Sequence, residues 1–127
     1  MGKILDKDKI AQKEYKKSIL EIIDICKANN VKLVFLTQPL LFGEGIDPRT
    51  GLDLVKYQFH IFSGLQNSQK LELYNQTVRQ VCVESQTQRI DLAKLLPKDS
   101  KYFFDDMHFS DTGCQKISEV FFENWEK

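Results

Sequence analysis

The sequence predicts an α/β domain that holds part of a doubly wound parallel sheet with flanking helices, and three observations predict it. Apolar residues recur at helical spacing over residues 8–29, again over 71–82, and again after residue 110. Two short runs, 31–37 and 88–92, have the β-branched and apolar make-up of strands. Each run follows a helix after only a few residues, the alternation of a chain that builds α/β units. A length of 127 residues makes a single domain at about 150 residues each, and 42% apolar with 28% charged residues is an ordinary globular balance.

The first helix, residues 8–29, places Tyr15, Ile19, Ile22, Ile23 and Cys26 on one face. Asp6 or Asp8 suits its N-cap, and Asn29-Asn30 suits a left-handed exit. Six lysines in residues 1–17 against Asp6, Asp8 and Glu14 leave that end net positive by three, the pattern of a solvated helix face. Val31-Lys32-Leu33-Val34-Phe35-Leu36-Thr37 then reads as a strand buried on both faces and stopped by Pro39. Residues 38–67 form a flap insertion. Within it Asp47-Pro48-Arg49-Thr50-Gly51 has turn chemistry, and Val55, Tyr57, Phe59 and Ile61 alternate with Lys56, Gln58 and His60 as in a half-exposed strand. A connection this long inside a compact domain is commonly functional, so the flap is expected to cover a binding site.

Leu71, Tyr74, Val78, Val81 and Cys82 mark a second helix that starts near Asn67 or Ser68. Residues 88–92 read as the second strand, and Pro97 punctuates the loop that leaves it. Ser110 or Asp111 caps the last helix, whose apolar side carries Cys114, Ile117, Val120, Phe121 and Trp125. Two parallel strands do not make a stable sheet, because such sheets need more partners across the hydrogen-bonding direction. The expectation is therefore a homodimer through an exposed sheet edge, or further strands upstream.

Eighteen basic and eighteen acidic side chains cancel, so no chain-wide basic surface is available and nucleic acid is not an expected partner. No apolar run approaches the ~18 residues of a membrane span. The first residues lack the apolar core of a signal peptide, and nothing in the sequence fixes a localisation. Cys26, Cys82 and Cys114 form no C-x-x-C pair, so neither a zinc site nor a disulfide framework is expected. Each is read as a buried, inert thiol on a helix face.

Concentrated polar chemistry lies in the loop before the last helix, Phe104-Asp105-Asp106-Met107-His108-Phe109-Ser110-Asp111. Ligand and catalytic groups of open α/β sheets gather at this edge. Asp105 and His108 stand three residues apart, and a tight loop can fold that spacing so that the carboxylate receives the imidazole Nδ1–H. Such a bond fixes the tautomer, frees Nε2 as a general base and stabilises the imidazolium of acyl transfer.

Asp105-x-x-His108, followed by Ser110, Gly113 and an apolar helix, resembles the terminal catalytic block of the SGNH (GDSL) hydrolases. The upstream order is similar too: a helix, the 31–37 run with Gln38-Pro39 behind it, Tyr74-Asn75 opening an amphipathic helix, and Ile90-Asp91-Leu92 ahead of the loop. The resemblance covers about residues 15–125. It implies a flavodoxin-like architecture whose N-terminal strands are absent from this chain, residues 1–127 being the C-terminal part of the domain. It implies a serine esterase or acylhydrolase acting on a small-molecule ester or an acylated carbohydrate, with Asp105 and His108 catalytic and with no metal or cofactor. The family's Gly-Asp-Ser nucleophile block and its oxyanion-hole blocks do not occur in these residues, so the chain alone is expected to be inactive. Ser63 lacks a preceding Gly-Asp and is read as a loop serine, and His60 as a surface histidine.

Two other classes compete. A noncatalytic module could bind a partner by strand addition at the open sheet edge. A divalent metal could be held by Asp105, Asp106, His108 and Asp111, although four ligands packed into seven residues rarely surround an ion unaided.

Overall fold

The computed structural model describes residues 2–59 and 61–125, with side chains from residue 8 onward apart from Phe59. His60, read above as a surface histidine, lies outside the described residues. Helix α1 (Gly2–Ala28) leads into strand β1 (Val34–Leu36), and a hairpin of β2 (Gln58–Phe59) and β3 (Phe62–Ser63) closes the flap. Helix α2 (Gly64–Ser85), strand β4 (Gln88–Ile90) and the single-turn helix α3 (Leu92–Leu95) follow. A 3-10 turn (Ser100–Tyr102) and helix α4 (Asp111–Asn124) complete the order.

β1 and β4 pair in parallel, with Val34 opposite Gln88, Phe35 opposite Arg89 and Leu36 opposite Ile90. Successive side chains of a strand point to opposite faces, and the two cores follow from that alternation. Leu33 and Phe35 pack on Ile19 and Ile23 of α1 and on Val78, Val81 and Cys82 of α2. Val34 packs on the other side, among Ile90, Val120 of α4 and the flap residues Leu41, Phe42 and Leu54. The protein is thus an α/β structure with helices on both faces of a short parallel sheet.

Several expectations are corrected. α1 begins at Gly2, so Asp6 and Asp8 lie inside the helix and do not cap it, whereas Asn30 does take the left-handed exit with φ 56°. The 31–37 run is strand only over β1 and is not closed on both faces, since Leu36 is 43% exposed. The reason is the sheet itself: among the described residues β1 has one neighbouring strand, which leaves its flank to solvent. Residues 55–61 are not a continuous strand. Asp53 Oδ1 accepts the Val55 amide at 3.1 Å and bends the chain, and pairing starts only at Gln58. β4 stops at Ile90 because Leu92 already begins α3. Of the three thiols only Cys82 is buried; Cys26 is half-buried and Cys114, on the outer side of α4, is exposed.

α2 starts at Gly64, earlier than the expected 67 or 68, because Ser63 and Gln66 form a capping box. The Ser63 hydroxyl accepts the Gln66 amide at 3.2 Å, and the Gln66 side chain accepts the Ser63 amide at 2.9 Å. A Cβ on Gly64 would lie 2.1 Å from the Leu54 carbonyl, so this glycine lets the flap backbone sit directly on the helix start. The flap is accordingly part of the main core and not a free arm.

Candidate functional site

The loop between the 3-10 turn and α4 is closed at its base by an isolated antiparallel bridge between Phe103 and Phe109. The Ser110 amide donates to the Tyr102 carbonyl at 3.1 Å, and the Phe104 amide to the His108 carbonyl at 2.7 Å. Just beyond, the Ser110 hydroxyl caps α4 by accepting the Gly113 amide at 3.0 Å and donates to the Lys101 carbonyl at 2.5 Å. Gly113 is required here, since a Cβ would stand 1.9 Å from the Tyr102 carbonyl oxygen. The first turn of α4 therefore fixes where the loop ends.

Inside this closed loop Asp105 and His108 meet. Asp105 Oδ1 accepts the backbone amides of Met107 at 2.9 Å and of His108 at 2.7 Å. Asp105 Oδ2 lies 2.7 Å from His108 Nδ1, so with Nδ1 protonated the imidazole donates to a carboxylate already held by two amides. The His108 side chain is 72% exposed and the Asp105 side chain 43%, which leaves the ring open to solvent. The His108 amide, its ring and the Met107 amide hold the Asp105 carboxyl at about 2. The hydrogen bond to Asp105 and its negative charge raise the pKa of His108.

A cleft of about 320 Å³ is lined by Phe104, Asp105 and Asp106 on the loop side and by Phe42, Arg49 and Tyr57 on the flap side; of the pair, Asp105 lines it and the His108 ring does not. The Phe42 and Tyr57 rings stack with centroids 3.9 Å apart. The flap wall is tied down twice. Lys98 Nζ donates to the carbonyls of Leu40 at 2.5 Å and Phe42 at 2.9 Å, and the Leu41 amide donates to the Asp106 carbonyl at 2.9 Å. Burial of that ammonium lowers the Lys98 pKa. The flap thus forms one wall of the cleft in this conformation.

Of the remaining acidic residues read from the sequence, Asp106 stays beside the pair, lining the cleft, contributing its carbonyl to the flap contact and adding its charge to the field on His108, whereas Asp111 lies in the first turn of α4. Among the described residues, no three carboxylate, imidazole or thiol groups converge as a metal-ligand set. Ser63 is the N-cap of α2. The flap is expected from the sequence to shape the acyl or carbohydrate side of the pocket over Phe42–Ile61, and Phe42, Arg49 and Tyr57 of that stretch line the cleft, although no single one of them is marked out by the sequence. No protein-family model and no curated protein matches the chain.

Proposed function

We propose that this chain is the C-terminal part of an SGNH-like serine esterase or acylhydrolase, built on a doubly wound, flavodoxin-like sheet, and that it supplies the Asp105–His108 half of the catalytic apparatus. The observation that carries the reading is the 2.7 Å contact between Asp105 Oδ2 and His108 Nδ1, on an imidazole otherwise open to solvent beside a cleft. In this reading a serine from outside these 127 residues gives its proton to His108 Nε2 as its oxygen bonds the ester carbonyl carbon. His108 returns that proton to the departing alcohol. A water then loses its proton to His108 and attacks the acyl-serine, releasing the carboxylic acid and restoring the serine. Asp105 holds the tautomer and stabilises the imidazolium throughout. The substrate is a small-molecule ester or an acylated carbohydrate seated in the cleft.

The test joins these 127 residues to the serine-bearing segment that this reading requires. That protein should hydrolyse p-nitrophenyl acetate, and His108→Ala or Asp105→Asn should lower its kcat by about 10²–10⁴-fold. The 127 residues alone should be no faster than free imidazole. A His108-dependent rate in the isolated chain, or full activity of the joined His108→Ala protein, overturns the reading.

One observation favours a second reading, a noncatalytic module that binds by strand addition: among the described residues β1 has one paired edge only. Partner binding that survives Asp105→Ala and His108→Ala but is lost on edge substitution would support it.

A further inference from the structure

The cleft has two walls of different charge. The loop wall brings Asp105 and Asp106, and the flap wall brings Arg49. Arg49 sits in a turn built around a buried carboxylate: Asp47, 2% exposed, accepts the Thr50 hydroxyl at 2.5 Å, the Ser100 amide at 2.9 Å and the Arg49 amide at 3.4 Å. The Gly51 amide closes the turn on the Asp47 carbonyl at 2.8 Å. Ser100 itself lines the cleft, so the turn is anchored to the wall it faces. Burying a carboxylate is costly unless it is fully hydrogen-bonded, and a surface connection needs no such device. Its effect is to hold the backbone of Arg49 in a fixed position at the cleft. Among the described residues the guanidinium has no acidic partner within ion-pair distance, and Asp47 meets Arg49 only through the Arg49 backbone amide.

We propose that Arg49 is an anion-recognition residue, and that the cleft takes an ester carrying a carboxylate or phosphate group. This rests on the reading of the cleft as the substrate site and narrows it. The guanidinium fork matches both anions in a bidentate way. Arg49 is exposed, and the stacked Phe42 and Tyr57 line the same wall, giving the apolar part of the ligand a surface to pack on. The carboxylates of the loop wall repel the same anion. The substrate is therefore oriented, its charged end on the flap and its uncharged ester toward the loop wall at Asp105, the partner of His108. A volume of about 320 Å³ lies at the small end of small-molecule sites and suits a ligand about as large as a benzoyl group with its anion.

The experiment follows ¹⁵N-resolved NMR shifts of the 127-residue protein on titration with benzoate, phenyl phosphate and benzyl alcohol. At least one anion should shift the Arg49 side-chain Nε–H and the amides of Tyr57 and Phe104 saturably. Comparison of benzoate with phenyl phosphate tells which anion is preferred. Benzyl alcohol should bind at least about tenfold more weakly, Arg49→Gln should weaken the anion by about tenfold or more, and Arg49→Lys should fall between. Equal binding of benzyl alcohol, an Arg49→Gln variant that binds like the parent, or no saturable shift with either anion overturns the proposal. The His108 titration recorded on the same samples separates the two readings. A raised His108 pKa with no anion binding removes only the Arg49 assignment, whereas anion binding beside an ordinary His108 leaves the anion site and removes the esterase.

Discussion

At the scale of residues, the decisive pair is local. Asp105 is charged down to about 2 because two amides and the His108 ring bond its ionised form, and that charge in turn favours the imidazolium of His108. The signs define a window. A depressed carboxyl contributes above its unfolded value of about 3.9 and loses that contribution as pH falls toward 2. A raised imidazole contributes fully below about 6.5 and loses it as pH rises through its folded value. The ionised pair is therefore complete between about pH 4 and 6.5. Above its folded pKa, His108 keeps Nδ1–H on the carboxylate and exposes a neutral Nε2, the form a general base needs. NMR titration of the C–H resonances, with His60→Ala to assign the two histidines, should place the His108 midpoint above 6.5. Asp105→Asn should lower it toward the ordinary imidazole value, with Asp106 still acting on the ring, and an unchanged midpoint in that variant would show that Asp105 is not the cause.

Elements are set by contacts of differing sequence range, and that range decides what the sequence discloses. The helices are legible because each apolar face repeats within its own segment, as Ile19 and Ile23 or Val78 and Cys82 do. The Asp105–His108 pair is legible for the same reason, its partners being three residues apart. The Ser63-x-x-Gln66 capping box was equally local, and the start of α2 could have been read from it. Asn75 and Arg79 were not legible. Both are polar residues buried on α2, and their partners are remote: Asn75 clamps the backbone amide and carbonyl of Gln38 at 2.9 Å each, and Arg79 donates to Asp91 at 2.8 and 3.0 Å. The cleft was legible only in outline, as a flap expected to cover a site; which flap residues face the loop was not, since the two walls are some fifty residues apart in sequence. At α4 the element depends on one missing atom. Gly113→Ala must push the helix start away from Tyr102, at a cost of about 1–3 kcal/mol. Denaturant unfolding should register that loss, and the His108 pKa should fall with it because Ser110 and the loop share the displaced backbone. A Gly113→Ala protein of unaltered stability would show that α4 is not pinned there.

For the whole molecule, the ends of the two strands are locked to α2 by a polar network, while one edge of the sheet is left unlocked. Asp91 receives the Thr37 hydroxyl at 2.8 Å and the Arg79 fork, and Arg79 reaches on to Glu72 at 2.5 Å, so the C-terminal ends of β1 and β4 are fixed to each other and to α2. The β1 edge has no such closure. Because the Thr37 amide donates to the Ile90 carbonyl, the alternation of a parallel ladder turns the Leu36 amide the other way, outward, beneath a side chain that is 43% exposed. Unpaired donors next to exposed apolar side chains are a template for another strand. The isolated chain should therefore associate, and light scattering near 100 µM should return about twice the 14.8 kDa of the chain. Leu36→Lys sets a charge on that edge without touching the β1–β4 ladder, and it should shift the mass to that of a monomer with the unfolding midpoint little changed. A parent protein that stays monomeric and stable at that concentration would mean that two strands suffice, and the expectation of further strands beside β1 would fail along with the dimer.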